Sequence, residues 1–288
     1  MARFLIVVIV SLLFGLGVSL ATGLGGAVLA GLPVTVCCAM LAFGINWLAF
    51  IPASIKQTEH FYDLTGSITY LSVIGFALVF SPRFDTRALL AAIMVFVWAI
   101  RLGSFLVIRI RQDGKDDRFD EIKTKPLRFF SAWTLQALWV ILTAACALLI
   151  ITSDTNKSIG IIGAVGLILW IAGFIVEVVA DAQKRKFRNN TDNRGKFINT
   201  GLWAWSRHPN YFGEITLWLG MTLLALPIMT GWQYIALVSP VFVYLLLAKI
   251  SGIPMLRAKA DARWGTQTEY QNYINNTSLL LPLPPKTS

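Results

Sequence analysis

The chain consists of long apolar runs separated by short polar connections over nearly its whole length. The runs lack the two-residue alternation of half-buried strands, and a helix needs roughly 20 residues to cross a bilayer. Because lipid cannot satisfy backbone polar groups, spanning segments must be helices or closed barrels, and unbroken runs favour helices. The pattern therefore predicts an all-α, polytopic helical membrane bundle with about seven or eight transmembrane helices. The runs are residues 4–20, 32–54, 68–80, 89–110, 129–151, 159–179, 210–229 and 234–250, of which 68–80 is the shortest.

Composition excludes an ordinary soluble domain. Hydrophobic residues make up 56% of the 288 residues and charged residues 14%, against about 25% charged in soluble domains. The first apolar run lacks a convincing cleavage site after it, so we expect a spanning helix rather than a signal peptide. Cys37, Cys38 and Cys146 lie inside apolar runs without metal-like spacing, which predicts core packing and no metal site. We expect one transmembrane domain over residues 1–288.

The cationic residues indicate how the helices cross the membrane. If the N-terminus is cytoplasmic and the loops alternate, most of the 25 lysine and arginine residues fall on the cytoplasmic side, as the positive-inside rule requires. The exceptions are Arg83, Arg87, Arg101 and Lys157. Both termini are therefore predicted to be cytoplasmic. This topology and membrane lipids account for the net charge of +10, so no nucleic-acid partner is needed.

The long connections all fall on the predicted cytoplasmic side. They are residues 109–128, residues 183–208 and the tail from residue 251, whereas the opposite connections are short. Loops carry function more often than the elements they join. The site is therefore expected to open toward the cytoplasm.

The sixth run continues into "VEVVADAQKRKFRNN", which carries charged residues at helical spacing. Glu177, Asp181, Lys184 and Arg188 are four, three and four residues apart, so they would share one helix face. Ionisable groups within a membrane helix are costly and indicate a functional site by default. The alternative is a salt-bridged anchor at the membrane interface.

The fourth run contains Arg101, with Arg111 on a similar helix face. An arginine at that depth is expected to point into the bundle, either toward a ligand or toward a structural partner. Its partner would be a carboxylate of a later run, Glu177, Asp181 or Glu214.

The stretch "SRHPNYFGEITLWLG" places polar groups at the mouth of the seventh run. Pro209 suits the first turn of a helix, and a helix N-terminus is a ready anion site. Arg207 and His208 add side-chain donors beside it, and Asn210, Tyr211 and Glu214 follow on the first turn. This arrangement suits a dinucleotide phosphate with its polar base and ribose. The alternative is an interfacial belt of arginine, tyrosine and tryptophan, which explains Trp203 and Trp205 but not Asn210 and Glu214.

These stretches carry a family resemblance. "EVVADAQKRKFR", "NTGLWAWSRHPNYFGEITLWLG" and the tail "SGIPML…RWGTQTEYQNYINNTSLLLP" resemble the steroid 5α-reductase superfamily, especially its bacterial branch of membrane proteins. The resemblance covers roughly residues 98–282 and is strongest over residues 177–220. It implies a membrane oxidoreductase that takes hydride from NADPH to reduce an activated C=C bond, an enone, of a steroid-like or other lipid substrate. The implied location is the bacterial inner membrane.

The resemblance also implies which residues contact NADPH. They are Asp181, Arg188, Asn210 and Glu214, then Arg109, Arg111, His208 and Tyr211, and in the tail Arg257, Lys259, Arg263, Tyr270 and Tyr273. Arg101, Glu177 and Arg207 join this set from the charge pattern alone. No complete G-x-G-x-x-G lies between a strand and a helix, so the bundle and its loops must hold the cofactor.

Enone reduction needs an electrophile that stabilises enolate charge. Glu59, Tyr62 and Asp63 are expected within one helical turn after the second run. A glutamic acid in an apolar cleft has a raised pKa and can donate a hydrogen bond as the neutral acid, and a tyrosine held by it can do the same. The resemblance places a catalytic glutamate on an early span, at Glu59. The alternative is a polar interfacial loop.

Two other functions remain open from the sequence. Membrane methyltransferases of the isoprenylcysteine or phospholipid type also pair an "RHP-x-Y" stretch with a downstream glutamate, and they bind S-adenosylmethionine, which has no phosphate. A channel or transporter would distribute polar residues through the bundle, whereas here they cluster at the cytoplasmic end. The cationic stripe favours the NADPH-dependent reductase.

Overall fold

A computed structural model of the chain describes residues 2–285, apart from the side chains of residues 112, 113 and 117. Within these residues, eight helices are long and apolar enough to cross a membrane, which confirms the predicted all-α membrane bundle. The spanning helices of the first half are α1 (Ala2–Thr22), α2 (Val34–Lys56), α3 (Tyr62–Val79), α4 (Thr86–Asp113) and α5 (Pro126–Thr152). A short hairpin, β1 (Val28–Leu29) with β2 (Leu32–Pro33), joins α1 to α2.

The second half contains shorter and less regular elements. They are α6 (Ile161–Asn189), α7 (Leu202–Trp205), α8 (Pro209–Ala225), α9 (Val238–Leu245), α10 (Gly252–Trp264) and α11 (Thr268–Asn276). A 3₁₀ segment, Gly231–Leu237, precedes α9, and a π-helical turn, Leu246–Ile250, follows it. The predicted run 234–250 is therefore not one regular helix. Helix α3 begins at Tyr62 rather than at residue 68, and α6 continues to Asn189, as the predicted helical spacing from Glu177 to Arg188 requires.

The chain forms two compact units. The first comprises the chain up to Gly163 together with Leu224–Ser239, and the second comprises Ala164–Leu223 and the chain from Pro240 onward. In the first unit, α1 to α4 all pack against α5, which is the most deeply buried spanning helix. Its sequence "WTLQALWVILTAACALLII" is apolar on every face, and a helix of that kind is stable only when it is surrounded.

Arg87 fixes the connections at one end of the first unit. It lies near the start of α4 and its side chain is buried. Its guanidinium donates to the backbone carbonyl oxygens of Lys157 (3.2 Å) and Ser158 (2.8 Å) and to that of Leu224, which lies at the end of α8. A buried arginine joins these segments because it supplies several donors to carbonyl groups that a helix end leaves unsatisfied.

The second unit is organised around a direct backbone contact between α6 and α8. A Cβ atom added to Gly173 would lie 2.6 Å from the carbonyl oxygen of Gly213, and one added to Gly220 would lie 2.5 Å from that of Gly166. Both helices therefore carry glycines seven residues apart on the contacting face. Small residues are the usual means by which membrane helices approach closely. This contact places the C-terminal half of α6 beside the first turns of α8.

We predict that Arg87→Met lowers the free energy of unfolding by about 2 kcal/mol or more, because buried carbonyl groups lose a charged donor. Denaturant unfolding of the purified protein in detergent, followed by tryptophan fluorescence, measures the change. Arg83→Met is the matched control, since Arg83 is exposed in the same unit. Equal losses in the two variants would contradict the assigned role of Arg87.

Candidate functional site

The end of α6 and the start of α8 bring two of the predicted site residues into contact. Asp181 is only 7% exposed, and its Oδ1 accepts a hydrogen bond from Nδ2 of Asn210 at 3.2 Å. Glu177, 2% exposed, lies one turn earlier, where the backbone of α6 approaches Gly213. The predicted polar stripe of α6 therefore lies on one continuous helix, with two buried carboxylates facing into the second unit.

The short helix α7 docks against the end of α6. The indole N–H of Trp203 donates to the carbonyl oxygen of Ala180 at 3.0 Å, and the Gln183 side chain accepts from the backbone N–H of Leu202 at 2.9 Å. The ammonium group of Lys184 lies 4.8 Å from the centre of the Trp203 ring. Trp203 is buried because its ring fills the contact between α7 and α6, so this contact accounts for the residue without an interfacial belt.

The C-terminal tail holds the stretch that precedes α8. The backbone N–H of Arg207 donates to the carbonyl oxygen of Ser278 at 2.9 Å, and the Ser206 hydroxyl donates to that of Leu280 at 2.8 Å. Helix α8 begins at Pro209, as its position before an apolar run predicted. The geometry of the "SRHP" stretch therefore depends on residues about 70 positions later in the chain.

Four aromatic rings form a cluster beside this stretch, which we call the tail aromatic cluster. The Phe197 ring centre lies 5.9 Å from that of Trp264, 5.3 Å from that of Tyr270 and 5.4 Å from that of Tyr273. The Tyr273 hydroxyl donates to the carbonyl oxygen of Trp203 at 2.7 Å. Tyr270 and Tyr273 were predicted as site residues, whereas Phe197 was missed because nothing in its local sequence distinguishes it from other loop aromatics.

Two arginines concentrate positive charge next to this cluster. Arg207 is half-buried, and its Nε is buried without a hydrogen-bond partner in the part of the chain that the structure describes. Burial and the positive charge of Arg257 lower the pKa of Arg207. Nε of Arg257 lies 3.5 Å from Oδ2 of Asp261, and Oδ1 of the same carboxylate accepts a hydrogen bond from the Tyr270 hydroxyl at 3.0 Å. Asp261 thus pairs with Arg257 and Tyr270, whereas the buried Nε of Arg207 is a donor to which an added anion would be a partner.

His208 acts as a neutral group at this position. Its ring stacks on that of Tyr211, with centres 5.6 Å apart and planes 11° from parallel. Burial, together with the nearby charges of Lys184 and Arg207, lowers the pKa of His208 to about 3. At neutral pH it therefore offers one hydrogen-bond donor and one acceptor.

The remaining predicted residues of the second unit lie toward its surface. Arg188 is exposed near the end of α6, and Lys259 is exposed on α10. The guanidinium of Arg263 lies 5.0 Å from the centre of the Trp264 ring. Glu214 is half-buried on α8.

Glu59 of the first unit does not fit the expected neutral acid. It lies in the connection between α2 and α3 rather than on a helix, so the expected single turn with Tyr62 and Asp63 is wrong. Its carboxylate is 1% exposed, contacts the Lys123 ammonium at 2.9 Å and accepts the backbone N–H of Asp116 at 3.1 Å. Burial by itself would raise the pKa of Glu59, but these hydrogen bonds hold it below its usual value. The carboxylate is therefore ionised.

The other two predicted catalytic residues make separate structural contacts. The Tyr62 hydroxyl donates to the carbonyl oxygen of Ala132 at 3.0 Å, and its ring packs against that of Trp133. Asp63 contacts the guanidinium of Arg109 at 3.1 Å. In the structure, the three side chains do not converge on one reactive point.

The three arginines of α4 that were expected to contact the cofactor lie in the first unit. The Arg101 guanidinium lies 5.6 Å from the centre of the Phe105 ring. Arg109 pairs with Asp63, and Arg111 lines a cleft between α3 and α4. The expected approach of Arg101 to the carboxylates of later spans stays a prediction.

Comparison with known proteins covers most of the chain. A family described as a protein of unknown function, DUF1295, matches residues 49–277. The 3-oxo-5-alpha-steroid 4-dehydrogenase 1 of Macaca fascicularis is 29% identical over 118 residues, which cover 41% of this chain and 40% of that protein. Its counterpart in Rattus norvegicus is 25% identical over 117 residues, with the same coverage. The chain thus spans about two fifths of the length of these relatives.

A shorter match is to a protein whose name states a different activity. A probable O-methyltransferase of Ustilaginoidea virens is 36% identical over 62 residues, which cover 22% of each chain. No solved structure matches the chain.

We predict that Glu59→Gln lowers the free energy of unfolding by about 3 kcal/mol at neutral pH, since it leaves the Lys123 ammonium without its buried partner. Because the pKa of Glu59 is lower in the folded protein, this stabilisation is present above the unfolded pKa of about 4.3 and is lost as the pH falls through the folded value. Denaturant unfolding of the wild type and of Glu59→Gln, measured between pH 4 and pH 8, should give free energies of unfolding that converge as the pH falls.

Asp120→Asn is the control for this comparison. Asp120 also contacts Lys123, at 3.4 Å, but it is exposed, so its loss should matter much less. A difference in the free energy of unfolding between the wild type and Glu59→Gln that stays constant across this pH range would exclude the ion pair as its cause.

Proposed function

We propose, since the chain belongs to the DUF1295 family and is related to the steroid 5α-reductases, that it is an integral membrane reductase. In this proposal NADPH is the cofactor, and the substrate is a lipid-like molecule with an activated C=C bond such as an enone. The site lies in the second unit, around the start of α8, and the cytoplasmic face of a bacterial inner membrane is its proposed location. The single observation that carries the proposal is the pair of arginines, Arg207 and Arg257: the buried Nε of Arg207 has no hydrogen-bond partner among the described residues, and the positive charge of Arg257 lowers the pKa of Arg207.

The phosphate groups of NADPH fit this pair. A buried guanidinium nitrogen without a partner is costly, and the positive charge of Arg257 increases that cost for Arg207. Arginine binds phosphate through paired, charge-assisted hydrogen bonds. The free N–H groups at the start of α8 lie directly after Arg207 and His208 in the chain and favour an anion at the same place.

The contact between Asp181 and Asn210 suits the neutral polar parts of the cofactor. The two side chains meet at 3.2 Å where α6 approaches α8, and together they present a carboxylate and an amide. Such groups bind ribose hydroxyl groups and a carboxamide, which both donate and accept hydrogen bonds. The tail aromatic cluster offers a flat apolar surface against which a base or a nicotinamide ring can stack.

The chemistry divides between the cofactor and the protein. When bound, NADPH would supply a hydride to the β-carbon of the enone, a proton would reach the α-carbon, and NADP⁺ would be released. The protein's part is to hold the phosphates, orient the ring and exclude water from the reacting atoms. Glu59 is ionised and paired with Lys123, so we assign it, with Tyr62 and Asp63, to positioning the connection between α4 and α5 rather than to donating this proton.

A membrane methyltransferase is the second candidate, favoured by the match to the probable O-methyltransferase. Its cofactor, S-adenosylmethionine, carries a sulfonium cation and no phosphate. The buried carboxylates Glu177 and Asp181 suit a cation, but the surplus of positive charge at Arg207 and Arg257 does not. The reductase accounts for both features because NADPH combines phosphates with polar neutral groups.

We predict that the purified protein in detergent binds NADPH more tightly than NADH, and binds both more tightly than S-adenosylmethionine. Arg207→Gln and Asn210→Ala should each weaken NADPH binding about tenfold, because each removes a hydrogen bond to the cofactor. Isothermal titration calorimetry on the wild type and each variant measures the dissociation constants.

Arg185→Gln is the control for the change in charge, since Arg185 is exposed on α6 in the same unit. It should leave NADPH binding within about twofold. Binding of S-adenosylmethionine without binding of NADPH would replace the reductase with the methyltransferase. Equal effects of Arg185→Gln and Arg207→Gln would show that NADPH responds to the overall positive charge of this unit and not to a specific site at Arg207.

A further inference from the structure

A cleft of about 460 Å³ lies between α3 and α4 in the first unit, and we call it the lateral cleft. Its volume is within the range of about 300–1,000 Å³ that is typical of small-molecule sites. On α4 its lining residues recur every three or four positions, so one helix face forms a whole wall. The lining residues are His60, Leu64, Val107, Ile110, Arg111 and Gly114.

The cleft lies beyond a point where the two helices touch. A Cβ atom added to Gly103 of α4 would lie 2.6 Å from the hydroxyl oxygen of Ser67 on α3. At that level the helices leave no space between them. Toward the start of α3 and the end of α4, the larger side chains of Leu64, Val107 and Ile110 line an open gap instead.

The chemistry of the lateral cleft is apolar with a cationic end. Arg111 is exposed, and it makes no ion pair with the side chains that the structure describes. Its neighbours differ in this respect, since Arg109 pairs with Asp63 and Arg118 pairs with Asp116. Among the described side chains, none therefore neutralises Arg111, and an anion bound in the cleft would meet its positive charge.

The apolar walls continue onto a surface of the kind that faces lipid. Leu64 is 39% exposed, Ile68 on α3 is 45% exposed and Ile108 on α4 is 42% exposed. Arg111 is the last residue of the spanning segment Thr86–Arg111, and Leu64 lies in the first turn of the segment Tyr62–Val79. The cation thus lies at the end of a candidate span, and the apolar side chains that line the cleft extend from that level inward along α4 to Val107.

We propose that the lateral cleft binds an anionic membrane phospholipid. The lipid phosphate contacts Arg111, and one acyl chain lies along Leu64, Val107 and Ile110. A water-soluble anion would use the cation but not the walls, and a neutral lipid would use the walls but not the cation. An anionic phospholipid matches both parts of the cleft, since basic residues at the membrane surface attract anionic lipid head groups.

The test is native mass spectrometry of the full-length protein in a neutral detergent, titrated with phosphatidylglycerol or with phosphatidylcholine of the same acyl chains. The wild type should retain phosphatidylglycerol preferentially. Arg111→Gln should weaken that binding about fivefold, the usual worth of one cation at a membrane surface, and abolish the preference. Arg111→Lys should retain the preference for phosphatidylglycerol. Val107→Trp should reduce the binding of both lipids, because the larger side chain fills the cleft.

Arg83→Gln is the matched control, since it removes the same charge from an exposed position in the same unit, and it should bind lipid like the wild type. Equal lipid binding by Arg83→Gln and Arg111→Gln would overturn the proposal. Competition by glycerol 3-phosphate as effective as that by phosphatidylglycerol would show a site for the phosphate alone and would also overturn it. Displacement of the lipid by NADPH would assign Arg111 to the cofactor instead.

Discussion

The backbone contact between α6 and α8 is the constraint on which the proposed site depends. Gly173 and Gly213 approach so closely that neither position has room for a Cβ atom. Because the helices meet at this level, Asp181 and Asn210 lie within hydrogen-bond distance on the adjoining turns. A larger residue at either glycine would push the two helices apart and so separate the side chains of Asp181 and Asn210. The glycines thus determine the geometry of the site without contacting its proposed cofactor.

Local pattern was sufficient to predict what depends on local sequence. Each apolar run marked a candidate span, although the last is built from 3₁₀, α- and π-helical segments. Pro209 marked the start of α8, and the spacing from Glu177 to Arg188 marked one helix face. These features follow from the length, the period and the backbone preferences of a few neighbouring residues. The start of α3 was misplaced because polar residues continue that helix beyond its apolar part.

The features that the sequence did not predict are contacts between distant segments. Lys123 neutralises Glu59 from 64 positions away, which reverses the pKa shift expected of a glutamic acid in an apolar cleft. The tail reaches Ser206 from residue 280, and Phe197 joins three aromatic rings of α10 and α11. No periodicity or spacing encodes such pairs, and a residue's protonation state follows from its partner rather than from its position in the sequence.

The balance of charge separates structural from ligand-binding roles in this chain. Around the connection between α4 and α5, Glu59 is matched with Lys123 and Asp63 with Arg109, so these groups stabilise the fold and leave little for a ligand. Around the start of α8, by contrast, Asp261 pairs with Arg257, while the buried Nε of Arg207 has no hydrogen-bond partner among the described residues. A buried guanidinium nitrogen without a partner costs free energy, and the positive charge of Arg257 adds to that cost. A bound phosphate would recover that cost, because the fold already holds the two charges in position to meet it.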